Sequence, residues 1–490
     1  MGKFNKVAKV VSDSVNMAGG DAFSRDYKKE VASVILSSML NGNSFYEKEA
    51  DRIARIKTLV VTGTDTYGEF LAKAMVYART EANLRSASHL MANILVENVK
   101  GSTYLRPALV KTMVRPDDMI EMLALWKTNH EDVMLPNVLR RAMKDSLETK
   151  WNGYHFKKYA NEASTYKLKD VVKLARPSSV GKADKDVFKK VIEGTLPAIN
   201  TAQTVNAGST ASTRAANYSL MLDEGTLGYM AALKNLKNML EAGLFIADID
   251  NLCKLLENKE AVAKSKVLPF RFVDALDALE KISMDQFLLE KVKASLEKGF
   301  VASAVNVNLV HGDEKIALLL DESWSMDGAP FKIGKSLMAC IISNVSSANA
   351  VGYLWANRCT KVDITTPFGF IKNTSCHGGG TDVLAPLKEL TSTNTFVDKI
   401  IILTDLQLYG YGINKTSFTQ ALNAYRKINP KVKVVFWNLQ GYSGGTPIKL
   451  QGGVMEVSGF SDKLLEVVAG MFDNGDVNYL VKEIEKINLG

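Results

Sequence analysis

The segment KIALLLDESWSM, residues 315–326, joins an apolar run of strand length to a polar turn. The run is apolar without alternation, as expected of a strand that is covered on both faces of a parallel sheet. The turn has the pattern D-x-S-x-S and places Asp321, Ser323 and Ser325 at the carboxyl end of the strand. Ligands of open α/β sheets bind beyond that end. The segment therefore predicts an α/β domain with a polar ligand site at the edge of its sheet.

Strands and helices alternate through the sequence that follows this segment. Further apolar runs of strand length lie at 351–356, 361–367, 399–405, 432–439 and 454–460. Segments with helical spacing lie between or beside them at 330–346, 382–391, 416–428 and 461–472. Such an alternation predicts a doubly wound α/β domain, which we place at residues 301–490.

Three loops at predicted strand ends offer oxygen ligands. One is the D-x-S-x-S turn, the second follows the glycine run at 378–380 and supplies Thr381, and the third supplies Asp405. A hard divalent cation such as Mg²⁺ prefers oxygen ligands and keeps several waters. Because only two of the side chains are carboxylates, a cation bound here would retain positive charge and an exchangeable position. That position would suit a carboxylate from another molecule.

Other interpretations of the turn fit the spacing less well. An EF-hand loop that starts at Asp321 would need Gly at its sixth position and Glu at its twelfth, where the sequence has Met326 and Lys332. A nucleophile elbow would need flanking glycines that both serines lack. A plain polar turn remains the simplest alternative. His377 precedes the glycine run, and we assign it no role beyond local hydrogen bonding.

The D-x-S-x-S, Gly-Thr-Asp (380–382) and Leu-Thr-Asp (403–405) segments, in this order, resemble the von Willebrand factor type A domain with its metal-ion-dependent adhesion site. The resemblance implies that the metal-site residues are Asp321, Ser323, Ser325, Thr381 and Asp405. It also implies that the two serines bind the metal directly and Asp405 partly through water. Such domains usually bind proteins rather than catalyse. One hypothesis for the chain is therefore a metal-dependent protein-interaction adaptor.

Residues 25–300 show a different pattern, in which apolar side chains recur at helical spacing. In residues 134–147 they lie at i, i+3, i+4, i+7 and i+8 and form one stripe. The connections between such segments are short and often contain Gly or Pro. No strict repeat period is visible. The pattern predicts stacked, irregular helical hairpins, and we place this helical module at residues 1–300.

The positive charge of the chain lies in the helical module. The 490 residues contain 61 Lys and Arg against 53 Asp and Glu, a net charge of +8. Residues 1–300 contain 44 basic and 36 acidic side chains, whereas residues 301–490 contain 17 of each. Residues 101–200 alone contain 18 basic and 12 acidic ones. An anionic partner such as nucleic acid is therefore expected to bind the helical module.

Basic side chains lie off the apolar stripe on successive segments of this region. In residues 168–176 they recur at i, i+4 and i+7, and in residues 151–159 two lysines are interleaved with aromatic residues. Lysine and arginine neutralise phosphates, and aromatic rings can stack on unpaired bases. A solvated helix face with buried aromatic residues is the alternative. The candidate RNA-contacting residues are Arg140, Arg141, Lys144, Lys157, Lys158, Lys169, Lys173 and Arg176.

Compartment and enzyme class follow from what the sequence lacks. Its four cysteines are scattered with no C-x-x-C pair, which indicates neither a zinc site nor a disulfide framework. No secretory signal or membrane-spanning apolar run is visible, so we expect a soluble protein in the reducing cytoplasm. No nucleophile–base pair, phosphate loop or acid–base couple stands out, so we expect no enzymatic activity.

Several stretches resemble the TROVE domain, the helical-repeat module of the Ro 60 kDa autoantigen family. They include GGDAFSRD (19–26), LPNVLRRAM (135–143), KYANEASTYKLKDVVKLARPS (158–178) and VLPFRFVDAL (267–276). Followed by a type A domain, this is similar to the architecture of the Ro family, in its bacterial or phage branch. The resemblance implies a monomeric ring of HEAT-like helical repeats that the type A domain closes around a positively charged hole.

The resemblance also implies the partners. Members of the family bind small noncoding Y RNAs on the outer surface and single-stranded ends of misfolded RNAs in the hole, and bacterial members work with exoribonucleases in RNA quality control. Lys158 and Tyr159 match the start of the segment that contacts Y RNA, with Lys173 and Arg176 behind them. An acidic residue, Glu162, replaces a basic family position. That departure leaves the identity of the outer-surface RNA open.

Overall fold

The computed structural model describes residues 13–38, 40, 42–131, 134–159, 164–178, 186–197, 199, 209–304, 307–408, 417–446 and 448–490. They form two compact units. The α/β unit contains the described residues up to Arg52 together with Ala304–Lys482, and the helical unit contains Ile53–Ser303 and Glu483–Gly490. None of the described helices is both long and apolar enough to cross a membrane.

A six-stranded sheet forms the centre of the α/β unit. The strands of the chain are β1 Ser14–Val15, β2 Asp21–Ala22, β3 Ile316–Asp321, β4 Ala350–Trp355, β5 Cys359–Val362, β6 Lys399–Thr404, β7 Lys433–Asn438 and β8 Val454–Ser458. The first two form a small antiparallel pair, and the others are ordered β5-β4-β3-β6-β7-β8 with only β5 antiparallel to its neighbour. This order confirms the predicted doubly wound α/β fold.

Helices occur in both units. In chain order they are α1 Tyr27–Ser37, α2 Glu49–Thr62, α3 Thr64–Thr80, α4 Arg85–Asn98, α5 Leu105–Thr112, α6 Pro116–Asn129, α7 Asn137–Thr149, α8 Gly153–Lys158, α9 Leu168–Ala175, α10 Val187–Glu193, α11 Ala211–Asp223, α12 Tyr229–Glu241, α13 Ile246–Glu257, α14 Lys259–Ser265, α15 Phe270–Leu279, α16 Gln286–Ser303, α17 Ala329–Ile342, α18 Pro367–Asn373, α19 Leu384–Ser392, α20 Ser417–Tyr425, α21 Leu464–Asn474 and α22 Tyr479–Glu485.

The edge strand β5 differs from its prediction. The sequence predicted a strand at 361–367, but β5 ends at Val362 and α18 begins at Pro367. Proline at the first helical position and the Thr366 side chain, which accepts a hydrogen bond from the Gly369 amide, favour the start of a helix there. The apolar run therefore divides between a strand and a helix.

Residues 13–52 pack against the α/β unit, whereas the predicted boundary at residue 300 placed them in the helical module. Helix α1 packs on β8. The Ser33 hydroxyl accepts hydrogen bonds from the Asn438 amide at 3.1 Å and from the Ser458 hydroxyl at 3.0 Å. All residues from Val31 to Ser37 are buried. The reason is that α1 covers apolar surface beside the last strand of the sheet, a role that helical spacing alone cannot assign to a particular sheet.

The helical unit is built from packed helical hairpins. Neighbours in sequence pack together, as α3 does with α4, and helices two apart also pack, as in α3 on α5, α5 on α7 and α7 on α9. The predicted stripe on α7 is buried at Leu139, Ala142 and Met143, while Val138 is half-buried. This packing aligns α7 and α9, the two longest helices of the predicted RNA-contacting segment.

A buried carboxylate, Asp118, joins three helices of this unit. Its side chain is fully buried on α6 and accepts hydrogen bonds from Arg79 of α3 at 2.9 Å and from Arg85 of α4 at 2.9 Å. The Val114 and Arg115 amides donate to the same carboxylate at 2.9 and 2.8 Å. Burial alone would raise the pKa of Asp118, but the neighbouring imidazole and the guanidinium of Arg79 hold it well below its usual range.

Candidate metal centre and nucleic-acid interface

The two carboxylates of the predicted metal site lie at adjacent strand ends. Strands β3 and β6 pair in parallel, with Leu320 beside Leu403, so Asp321 and Asp405 emerge at the same edge of the sheet. Both carboxylates are fully buried. The parallel pairing therefore joins two of the three predicted ligand loops.

The D-x-S-x-S turn folds back onto the end of β3. The Ser323 amide donates to Asp321 Oδ1 at 2.8 Å, and the Thr404 hydroxyl donates to Asp321 Oδ2 at 2.6 Å. The hydroxyl oxygens of Ser323 and Ser325 are 3.3 Å apart, and both serines are buried. Three oxygen-bearing side chains of the turn thus lie together with fixed orientation.

Asp405 has an oxygen that its surroundings do not satisfy. Its Oδ1 accepts a hydrogen bond from the Gln407 amide at 3.0 Å, but within the described residues its buried Oδ2 has no hydrogen-bond partner. Burial raises the pKa of Asp405, although the Gln407 amide and the nearby Ser325 hydroxyl lower it, and burial together with the charge of Asp405 raises the pKa of Asp321. A buried carboxylate pair of this kind is stabilised by a cation.

The loop that contains Thr381 docks on the same turn. The Trp324 amide donates to the Gly379 carbonyl at 3.2 Å. Gly378 has φ +77°, and a Cβ at this position would lie 2.5 Å from the Trp324 ring, so only glycine fits. Thr381 is buried. The described residues contain no cluster of three or more His, Cys, Asp and Glu side chains, so a metal here would depend on these hydroxyls beside the two carboxylates. The donor set fits Mg²⁺.

The predicted RNA-contacting residues lie on α7, α8, α9 and the turns after them. Arg141, Lys158, Lys169, Lys173 and Arg176 are exposed, whereas Arg140, Lys144 and Lys157 are half-buried. Two of them are engaged locally, since Arg140 hydrogen-bonds the Asn137 side chain and Lys144 lies 3.9 Å from Glu148. Glu162 lies outside the described residues. The packing of α7 on α9 groups most of these side chains on one part of the helical unit.

The aromatic residues of 151–159 divide between core and surface. Trp151 and Phe156 are buried, and Tyr154 is exposed. The Lys158 ammonium lies 5.7 Å from the centre of the Tyr154 ring and 5.8 Å from that of Tyr159. These distances are within the range of cation–π contacts. A base stacked on Tyr154 would therefore lie next to a cation that can bind its phosphate.

Comparison with known proteins identifies the family. A model of the TROVE domain matches residues 22–217 and 206–322, which together span more than half of the chain. The chain belongs to the TROVE-domain family. Membership of this family implies RNA binding, and it confirms the resemblance that the sequence motifs predicted.

Curated relatives of this TROVE-domain protein are much longer than the chain. Telomerase protein component 1 of Rattus norvegicus is 33% identical over 69 residues, which are 14% of this chain and 3% of that protein. The Mus musculus protein of the same name is 34% identical over 62 residues, 13% of this chain and 2% of its own length. The chain thus aligns with only a small part of these relatives.

A solved structure shares the fold of the TROVE-domain chain over most of its length. The crystal structure of the Deinococcus radiodurans Ro (Rsr) protein has a TM-score of 0.58, with 16% sequence identity, and the match covers 91% of this chain and 99% of that one. At this identity the likeness concerns the fold alone. It confirms the predicted combination of a helical module with a C-terminal α/β domain.

Sequence reasoning missed residues of the TROVE-domain chain that lie beside both sites. Tyr46 packs edge to face on Tyr442, with ring centres 5.4 Å apart. Burial and the charge of Asp405 raise the pKa of Tyr46, and the nearby Ser325 hydroxyl lowers it, so this tyrosine lies next to the candidate metal site. Nothing in the local sequence of Tyr46 indicates this position. In the helical unit, Lys167 and Lys190 line a cavity together with two predicted residues.

His377 makes the local hydrogen bonds that its position predicted. Its Nδ1 lies 2.7 Å from Glu322 Oε2, and its Nε2 lies 3.2 Å from the Ser375 hydroxyl. The Cys376 thiol donates to the Glu322 carbonyl at 3.3 Å. Together these contacts tie the segment before the glycine run to the D-x-S-x-S turn. They fix the position of the glycine-run loop relative to the D-x-S-x-S turn.

Proposed function

We propose that the chain is a non-enzymatic RNA-binding protein that acts in RNA quality control. In this proposal it binds small noncoding, Y-like RNAs on the outer surface of its helical module and single-stranded ends of misfolded RNAs in a central hole. It works in the cytoplasm as a monomeric ring that can bring RNA to an exoribonuclease. The observation that supports RNA binding most directly is the group of exposed basic side chains on α7, α8 and α9 of a TROVE domain.

Charge reversal on this surface is expected to weaken RNA binding at least tenfold. We choose Lys158, Lys173 and Arg176, which are exposed and lie at the end of α8, on α9 and directly after α9. Removing three phosphate contacts should also lower the slope of log affinity against log salt by about 2 for single-stranded RNA. Filter binding over a salt series measures both quantities. The RNA should be a small structured RNA with a single-stranded tail.

A matched control distinguishes RNA binding at this surface from a nonspecific effect of net charge. Lys259, Lys264 and Arg271 are also exposed and lie in the same unit. Their reversal changes the net charge by the same amount and should leave the slope nearly unchanged. A flat salt response in the unmodified protein, or equal losses in the two triple variants, would contradict the proposal.

A second function, metal-dependent protein interaction through the α/β unit, is supported by the unsatisfied Asp405 oxygen. We propose that Asp321, Ser323, Ser325, Thr381 and Asp405 hold Mg²⁺. When bound, the ion supplies an open position for a carboxylate of a partner protein. The chain's own residues orient that position, because Asp321 is held on both oxygens by Ser323 and Thr404.

Magnesium is expected to stabilise the α/β unit. At a concentration one hundred times its dissociation constant, a ligand that binds only the folded state stabilises it by about 2.7 kcal/mol. The burial that raises the pKa of both carboxylates makes protons compete with the metal. The stabilisation should therefore be largest above the raised pKa values of the two carboxylates, about 7 and about 6, and decline as pH falls through them. Thermal unfolding with Mg²⁺ or chelator at several pH values measures it.

The Asp321→Ala variant should lose this Mg²⁺ effect. Asp313→Ala removes an exposed carboxylate of the same unit and should retain it. RNA affinity should be the same in both variants, because the metal site and the basic surface lie in different units. Equal Mg²⁺ stabilisation in Asp321→Ala would rule out this metal site. Ribonuclease activity that copurifies with the protein and disappears in Asp321→Ala would overturn the non-enzymatic assignment.

A further inference from the structure

Trp324 lies between the two serines of the D-x-S-x-S turn and is 60% exposed. The other four tryptophans of the chain are buried. An indole ring contributes a large apolar area, and tryptophan is enriched at the centres of protein interfaces for that reason. A large apolar ring that stays in solvent beside a polar ligand site therefore indicates a contact with another molecule.

The glycine run fixes Trp324 against the loop that contains Thr381. A Cβ at Gly378 would lie 2.5 Å from the Trp324 ring, so the ring packs directly on this backbone. The Trp324 amide also donates to the Gly379 carbonyl at 3.2 Å. Because one side of the ring is held by the protein, Trp324 loses little conformational freedom when another molecule covers the exposed side. The ring is therefore preorganised for binding.

A second exposed aromatic ring borders the same site. Tyr46 lies beside Ser325 and packs on the buried ring of Tyr442. Phe45 is exposed and packs edge to face on Tyr46, with ring centres 4.8 Å apart. We call Trp324, Phe45 and Tyr46 the aromatic rim. The polar candidate metal site is thus bordered by apolar rings that solvent can reach.

The charges around the site favour a protein carboxylate as its occupant. Asp321 and Asp405 are fully buried, and a cation bound by them and the neighbouring hydroxyls retains positive charge. Residues 301–490 contain 17 basic and 17 acidic side chains, so they lack the positive excess that binds a chain of phosphates. A single carboxylate with uncharged neighbours fits such a site better than a nucleic acid does.

We propose that the aromatic rim selects partner proteins in which the carboxylate that reaches the metal site is flanked by large apolar side chains. Successive residues of an extended chain are about 3.3 Å apart, so the neighbours of that acidic residue come within reach of the Trp324 ring. Burying their apolar surface on the ring adds affinity that a polar neighbour cannot supply. The proposal rests on the metal-dependent protein interaction proposed above, to which it adds the chemistry of the partner segment.

Short synthetic peptides test this preference. Each is capped, labelled with fluorescein, and has a central Leu-Asp-Leu, Ser-Asp-Ser or Leu-Asn-Leu between glycines. Fluorescence anisotropy measures their binding to the full chain with Mg²⁺ or with chelator. With Mg²⁺ we expect Leu-Asp-Leu to bind about fivefold to tenfold more tightly than Ser-Asp-Ser, because the leucines bury apolar surface on the rim. Leu-Asn-Leu, and every peptide in chelator, should bind about tenfold more weakly than Leu-Asp-Leu or worse.

Substitutions assign the preference to Trp324. Trp324→Ala should bind Leu-Asp-Leu and Ser-Asp-Ser with affinities within about twofold of each other. Trp324→Phe keeps an aromatic ring and should retain a preference of about threefold or more. Phe396→Ala is the matched control and should retain the full preference, because Phe396 is an exposed aromatic residue before the amino end of β6, at the other edge of the sheet. Circular dichroism verifies that each variant is folded.

Acrylamide quenching of the tryptophan fluorescence gives a second readout, which a purely structural role of Trp324 would not move. Because the other four tryptophans are buried, acrylamide quenches mainly Trp324. Saturating Leu-Asp-Leu with Mg²⁺ should lower the quenching constant, and by more than Ser-Asp-Ser does. Unchanged quenching with bound Leu-Asp-Leu would place the peptide away from the ring and overturn the proposal.

The possible outcomes separate this proposal from the one on which it rests. If Leu-Asp-Leu and Ser-Asp-Ser bind equally well and only with Mg²⁺, the rim is not selective and the metal-dependent interaction stands. If Leu-Asp-Leu and Leu-Asn-Leu bind equally well in chelator, or no peptide binds, both proposals fail. Release of Leu-Asp-Leu by an oligouridylate would identify a nucleic acid as the occupant. A Mg²⁺-dependent dimer that Trp324→Ala abolishes would identify a second copy of the chain, and either result would overturn the proposal.

Discussion

Replacing Asp118 with alanine is expected to lower the free energy of unfolding of the helical unit by about 3–5 kcal/mol, the cost of breaking a buried ion pair. The carboxylate is fully buried. The variant would leave the Arg79 guanidinium, 8% exposed, without its partner. It would also remove the acceptor for the Val114 and Arg115 amides at the start of α6. Buried donors left without hydrogen-bond partners lower the free energy of unfolding further.

Urea denaturation followed by far-ultraviolet circular dichroism measures the effect of Asp118→Ala. Arg106→Ala is the matched control, because its pair with Asp145 is 45% and 30% exposed and should contribute less than about 1 kcal/mol. If the two variants lose equal stability, Asp118 does not have the proposed structural role. Asp118→Asn retains the shape and should lose less than the alanine variant.

The pH dependence of the Asp118 contribution has a defined sign. The pKa of this carboxyl is lower in the folded state than in the unfolded chain, so the folded state binds fewer protons there. Its contribution is therefore complete above the ordinary pKa of aspartate, about 4, and declines as pH falls below it. The stability difference between the unmodified protein and Asp118→Ala should be constant from neutral pH to about 5 and narrow in stronger acid.

Replacing Arg25 with alanine is expected to cost the α/β unit a similar amount, about 3–5 kcal/mol. The Arg25 side chain is 2% exposed and pairs with Glu456 at 2.8 Å and Glu30 at 2.8 Å. Glu456, on β8, is 4% exposed at its side chain and would become a buried carboxylate without a cation. Glu30 is partly exposed and water can solvate it. The loss should thus come mainly from Glu456.

A double variant tests that reasoning. Arg25→Met combined with Glu456→Leu removes both buried charges and should recover most of the stability that Arg25→Ala loses, because a well-packed apolar pair can replace a buried ion pair. Lys29→Ala, which breaks a surface pair with Asp26, is the control. Thermal unfolding of the full chain provides the measurement. A loss in Arg25→Ala no larger than in Lys29→Ala would contradict the prediction.

The α/β fold and the proximity of the two candidate metal-site carboxylates were predictable from local sequence. Strand β3 is a continuous apolar run, and a parallel sheet of such strands has one carboxyl edge at which their terminal residues meet. Asp321 and Asp405 could therefore be placed together although they are far apart in the chain. The same local logic identified the buried stripe of α7, because helical spacing defines which face is apolar.

Other features depend on how elements meet and could not be predicted. The partners of Ser33 are 405 and 425 residues away in sequence, and nothing in an amphipathic helix specifies which sheet it covers. Tyr46 lies beside the candidate metal site through packing between residues distant in sequence, including its contact with Tyr442, which its local sequence does not specify. The cavity that Lys167 and Lys190 line forms where α8, α9 and α10 converge, so these two residues share an environment only in three dimensions. Periodicity identifies a face of each helix but not its neighbours.

The chain order of the two units has a consequence for biosynthesis. The α/β unit combines the segment up to Arg52 with Ala304–Lys482, and the helical unit includes Glu483–Gly490, where the Asn488 carbonyl accepts a hydrogen bond from Lys111 at 2.6 Å. During translation the helices of Ile53–Ser303 can pack as they leave the ribosome, since their contacts are largely local. The segment around α1 emerges before them and cannot dock until β8 has been synthesised. The first described helix of the nascent chain is therefore among the last to dock.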